Sequence, residues 1–86
     1  MSDDTKKALE ALHEHLSAVQ LADEAKQKHL AEVTDAIRVS LDHPTAPHHS
    51  TLRERLEKAV VVFEVDHPQI AQGLRAAIDS LSEAGF

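Results

Sequence analysis

The stretch "AVQLADEAK" (residues 18–26) decides the fold, because its reading separates one long N-terminal helix from a helical hairpin. Residues 4 to 42 contain neither glycine nor proline. Positions 9, 12, 16, 19, 23, 26, 30, 33 and 37 alternate in steps of three and four, the spacing of one continuous helical stripe. Against continuity, Asp23 and Lys26 put charge on that stripe just where Leu21, Ala22 and Asp23 offer a turn and a new helix cap. The hairpin is the preferred reading, and the single long helix is its alternative.

Working outward, the first segment places Leu9, Leu12, Leu16 and Val19 on one stripe, with Ser2, Asp3 and Asp4 as candidate caps. The second carries Leu30, Val33, Ile37 and Leu41, supported by a Glu24–Lys28 pair in the favourable order. In the third, Leu52, Leu56, Ala59 and Phe63 share a face, and Thr51 followed by Glu54 predicts a capping box at its start. The run "AVVVFEV" (residues 59–65) has strand-like composition, but helical spacing flanks it and a lone strand has no partner, so it reads as helix. The fourth segment turns Ile70, Leu74, Ala77, Ile78, Leu81 and Ala84 inward and Gln72, Arg75, Asp79 and Glu83 outward. Gly85 is its left-handed terminator, and Phe86 is expected to fold back on the last turn.

The predicted fold is therefore all-α, with two antiparallel helical hairpins forming a small four-helix bundle. The long-helix alternative pairs that helix with a C-terminal helical hairpin and needs dimerisation to complete the core. Either way, residues 1–86 form a single helical domain with a Pro/His-rich loop at 43–50. A chain of 86 residues buries only about 60 to 65% of its unfolded surface, so its stability is marginal. The absence of cysteine excludes disulfides and thiolate metal sites, leaving partner chains as the remaining reinforcement.

The formal charge is −6, and no basic face emerges from the sequence. Nucleic-acid binders need a cationic stripe to displace counterions, and single-strand binders add stacking aromatics, whereas this chain has only Phe63 and Phe86. The acidic start "MSDDTKK" leads into no apolar segment, and the longest apolar run, Ala59 to Phe63, is far too short to span a bilayer. The expectation is a soluble, cytoplasmic protein with no membrane insertion and no nucleic-acid partner.

The tripeptide Asp-His-Pro occurs twice, at residues 42–44 and 66–68. Proline disfavours the α conformation in the residue before it, so His43 and His67 are both expected at helix breaks. Pro68 suits the first position of the fourth helix, with Asp66 a favourable charge near that helix's positive end. The copies read as punctuation with different jobs and not as a repeat.

Seven histidines carry what site reading there is. His43, His48 and His49 lie in the predicted loop and are weak candidates for a divalent ion, with Asp42 as a further ligand, although their spacing is no recognised ligand pattern. His13 and His15 point in different directions from one helix, and His29 reads as a surface or boundary residue. The acids are scattered over solvent faces, and Ser50 and Thr51 read as helix caps and not as activated nucleophiles. Gly73, inside the fourth helix, reads as a close helix approach. No catalytic residue and no cofactor is expected.

The tail "FEVDHPQIAQGLRAAIDSLSEAGF" (residues 63–86) resembles the end of a family of small bacterial proteins known only as a domain of unknown function (domain of unknown function 4404). The shared features are Phe63-Glu64, His67-Pro68, Ala71, Leu74-Arg75, Asp79, Leu81 and Ala84-Gly85 with a terminal apolar residue. "LEALHEHL" (residues 9–16) and "AIRVSL" (residues 36–41) look like the family's other helical blocks. The resemblance implies a bacterial, stand-alone helical protein and brings no activity, cofactor or site residue.

The third helix is predicted to be apolar on both sides, with Val61 and Val65 facing away from Leu56 and Phe63. Val39 is similarly placed on the second helix. These three valines are the expected interface residues of a non-enzymatic interaction module, with a second copy or another protein as partner. The alternative function is a metal- or ligand-responsive protein using His43, His48 and His49.

Overall fold

The computed structural model describes residues 3–85. Four helices follow in order: α1 (Asp3–Ser17), α2 (Glu24–Asp42), α3 (Ala46–Phe63) and α4 (Pro68–Glu83). Among the described residues there is no strand, and residues 59–63 of the valine-rich run are helical. α1 packs on α2 and α4, and α3 packs on the same two, so the helices stand at the corners of a square bundle measuring 35 × 21 × 19 Å.

The break after α1 falls where charge interrupts the stripe, and the hairpin reading holds. Asp23 adopts an extended backbone and its carboxylate accepts from the Lys26 N–H at 3.1 Å, while the Gln27 side chain accepts from the Leu21 N–H at 2.6 Å. Two orphan donors of the turn are thereby satisfied. Val19 and Leu21 tuck against the core beside this connection. A continuous helix would have carried Asp23 along the core-facing stripe, where an unpaired carboxylate is costly.

The stripes predicted from spacing form the core: Leu9, Leu12, Leu16, Leu30, Val33, Ile37, Leu52, Leu56, Ala59, Phe63, Ile70, Leu74, Ala77 and Leu81 are each no more than 4% exposed. The chain encloses this core without a partner, so dimerisation is not needed to complete it. Leu41 and Ile78 are half-buried at its margin, and Ala84, expected inward, is exposed because α4 has ended by then. Gly73 lies where α1 and α4 approach closely: a Cβ there would stand 3.2 Å from Leu12 Cδ1. Gly85 ends α4 with φ +94°, the left-handed conformation that favours glycine. The expected roles of Ser2 and Phe86 lie outside the described residues.

One predicted segment is corrected. Residues 43–50 are not a loop, because α3 begins at Ala46, capped by Thr45, with Pro47 in the first turn. Proline is accommodated there because first-turn N–H groups have no intrahelical acceptor to lose. Thr51 and Glu54 consequently lie inside the helix and form no capping box at its start. The two Asp-His-Pro copies bend the chain alike, with His43 at φ −131°, ψ 76° and His67 at φ −135°, ψ 67°. Their jobs differ as expected: His43 closes α2 and His67 precedes α4.

Candidate functional site

The three histidines proposed as ligands are divided by the helical start of α3. His48 folds back on its own cap, its Nδ1 lying 2.9 Å from Thr45 Oγ1 and 3.1 Å from the His43 carbonyl. His43 and His48 remain neighbours on the surface, with ring centroids 6.0 Å apart. His49, one residue further round the helix, is fully buried. Among the described residues, no group of three or more His, Cys, Asp or Glu side chains is arranged to hold a metal ion.

The burial of His49 had a signal in the sequence. Positions 49, 52, 56, 59 and 63 step by three, four, three and four, so the imidazole extends the apolar stripe of α3 by one turn. Thr5 extends the stripe of α1 and Ser40 that of α2 in the same way, and both are 2% exposed. All three buried polar residues sit at one end of the bundle, where α1 starts, α2 meets α3 and α4 finishes. Their hydroxyls are used for stitching: Thr5 Oγ1 donates to the Ser80 carbonyl at 3.4 Å and Ser40 Oγ to the His48 carbonyl at 3.3 Å. The Ser80 carbonyl also accepts from the Ala84 N–H at 3.1 Å, so the hydroxyls add second bonds that tie α1 to α4 and α2 to α3 where water is excluded.

Burial pushes the His49 imidazole below its ordinary value of 6.5, opposed by a hydrogen bond to the Ser40 backbone and aided by the neighbouring His48. The neutral ring is thus preferred in the folded state, while the unfolded chain takes up a proton more readily. This contribution to stability is complete above about pH 6.5 and is lost as pH falls through the lower folded-state value. The melting temperature is expected to fall between about pH 7 and pH 5, and His49→Leu to flatten that dependence. Thermal unfolding of both proteins across this range checks it, and an equal slope in the variant would remove His49 as the cause.

At the opposite end, the α3–α4 corner is tied to α2 by an exposed ion pair between Lys26 and Asp66, which lowers the Asp66 carboxyl pKa. The pairing reaches across the fold, from α2 to the turn just before α4, where no side chain caps the helix. His29 on α2 and His67 at the corner both meet the buried Phe63 ring edge-on, with centroids 5.9 and 6.2 Å away. His29 is half-buried, in keeping with a boundary position. Ser50 and Thr51 are exposed on α3.

Among the described residues the valines are the large apolar residues most exposed: Val39 by 38%, Val61 by 70% and Val65 by 84%. They are not adjacent. α2 and α3 run antiparallel, so Val39 shares a groove with Thr51, Leu52 and Arg55, whereas Val61 lies ten residues beyond Thr51, or about 15 Å along the helix. Val65 lies past the end of α3, in the turn before α4. A second shallow groove of α2 and α3, lined by His29, Glu32, Val33, Arg55 and Lys58, lies between these ends. Among the described residues no helix is long and apolar enough to cross a membrane.

A family model described as a domain of unknown function, DUF4404, matches residues 5–86. No curated protein and no solved structure matches the chain.

Proposed function

The chain belongs to the DUF4404 family, a domain of unknown function, and on that premise we propose that it acts as a non-enzymatic helical interaction module that self-associates. The observation that supports this reading is the exposure of Val61 and Val65, 70% and 84%, in a protein whose other apolar stripes are consumed by its own core. Water is the costliest neighbour for such side chains, and covering each contributes roughly 1.5 kcal/mol or more. A symmetric pair of copies is the commonest way in which a small protein covers such residues. In this reading the protein works in the bacterial cytoplasm and uses no cofactor.

Light scattering and sedimentation of the purified protein are expected to give a dimer at high micromolar concentration. Val61→Glu combined with Val65→Lys is expected to yield a monomer with unchanged helical circular dichroism, since both side chains are exposed and support no core contact. A monomeric parent protein, or a double variant that still pairs, overturns the reading.

A further inference from the structure

Glu32 and Asp35 stand on α2, and Arg55 and Lys58 stand on α3, on the one face of the bundle formed by these two helices. The grooves show their levels: Asp35 and Arg55 line one, Glu32 and Lys58 the next. All four are exposed, and among the described residues none of them takes part in an ion pair. Four other cations are paired: Lys26 with Asp66, Arg38 with Asp42, Arg53 with Glu57 and Arg75 with Glu64. One face therefore presents two free acids on one helix and two free bases on its neighbour, with Val39 and Ala36 in the groove beside them.

We propose that this α2–α3 face is the surface on which a second copy of the chain docks, α2 of each copy lying over α3 of the other about a two-fold axis parallel to the helices. The inference rests on the self-association reading and specifies its geometry. In that arrangement each residue of α2 meets the residue of the partner's α3 at its own level, so each copy sets its Asp35 against the other's Arg55 and its Glu32 against the other's Lys58. The other two-fold arrangements of the same face stack α2 on α2, acid against acid, or α3 on α3, base against base. Like-charge juxtaposition penalises these when they centre on the four charges, so the crossed arrangement is the one that pairs all four with opposite charge.

Periodicity also puts Lys28 and Glu54 on this face, along the stripes Lys28, Glu32, Asp35 and Glu54, Lys58, Val61. They fall level with Val62 and Ala36, and so bring no like charge into the contact. The chain as a whole carries −6, which opposes association, but the four central charges of this face cancel. The bundle is 35 Å long and about 20 Å wide, so full coverage removes about 700 Å² per copy, close to the ~800 Å² per partner of a stable interface. The valines gain a common role: Val39 near one end of the face and Val61 near the other are both covered.

The test is charge exchange. Arg55→Glu with Lys58→Glu makes both helices of the face acidic, and Glu32→Lys with Asp35→Lys makes both basic. Each double variant is expected to sediment as a monomer at a concentration where the parent protein is dimeric, with unchanged helical circular dichroism. An equimolar mixture of the two is expected to recover the dimer mass as a one-to-one heterodimer, which also shows that both variants are folded. Variants that still pair with themselves, or a mixture that stays monomeric, overturn this face while the parent dimer leaves self-association standing. A parent protein that is itself monomeric overturns both.

Discussion

Replacing Phe63 with alanine is expected to cost about 3–5 kcal/mol of folding free energy, the usual range for removing a buried aromatic ring. The ring is fully buried, at the last turn of α3, and it joins three parts of the molecule: α2 through His29, the α3–α4 corner through His67, and the common core. Its removal leaves a cavity whose walls are held by separate helices, so collapse recovers little of the lost contact. A domain of 86 residues has a total stability of only about 4–13 kcal/mol. The variant therefore loses a large share of it, and the melting temperature is expected to drop by roughly 12–40 °C, using about 4–8 °C per kcal/mol at this size. Thermal unfolding followed by circular dichroism measures this. A drop of only a few degrees would mean that Phe63 does not tie the three parts together.

A proline at Ala76 is expected to cost about 3 kcal/mol or more, whereas Pro68→Ala changes stability only modestly. Both positions belong to α4, and both side chains are exposed, so the difference isolates the backbone. Pro68 opens the helix, where an N–H would have no intrahelical acceptor, and its ring matches the helical φ. Ala76 lies mid-helix, where proline removes a hydrogen bond to the preceding turn and drives its ring against a carbonyl. Denaturant unfolding of the two variants gives the comparison directly, and equal losses would contradict a helix start at Pro68.

The candidate histidine site shows how far residue spacing reaches. The helical stripes were legible because a residue and its neighbours three and four positions away share a face whatever surrounds the helix. The same rule included His49, but an imidazole on an apolar stripe carries no sign of which side of the first turn it will occupy. The spacing points to Thr51 as the cap and leaves Pro47 in a loop, whereas Pro47 fits the first turn of a helix capped by Thr45. The choice went to Thr45 because a longer α3 carries the His49 ring into the space between the helix ends, beside Ser40. The same holds for the valines. Their exposure follows from spacing, but the separation of Val39 from Val61 follows only from the antiparallel pairing of α2 with α3.

By itself, the sequence determined the helical class, most of the residues each helix turns inward, the preferred break at Leu21 to Asp23, a close helix approach at Gly73 and the left-handed stop at Gly85. These depend on dihedral preferences and on contacts within one or two turns, which adjacent residues specify. Tertiary structure alone decided that α3 starts at Ala46, that Thr5, Ser40 and His49 form a buried polar end, that Lys26 meets Asp66 from 40 residues away, and that two free acids face two free bases across the α2–α3 groove. Each of these depends on which helix covers which, and that is set by the burial of all four stripes at once. No segment carries that information alone, because a stripe has a direction but no address for its partner.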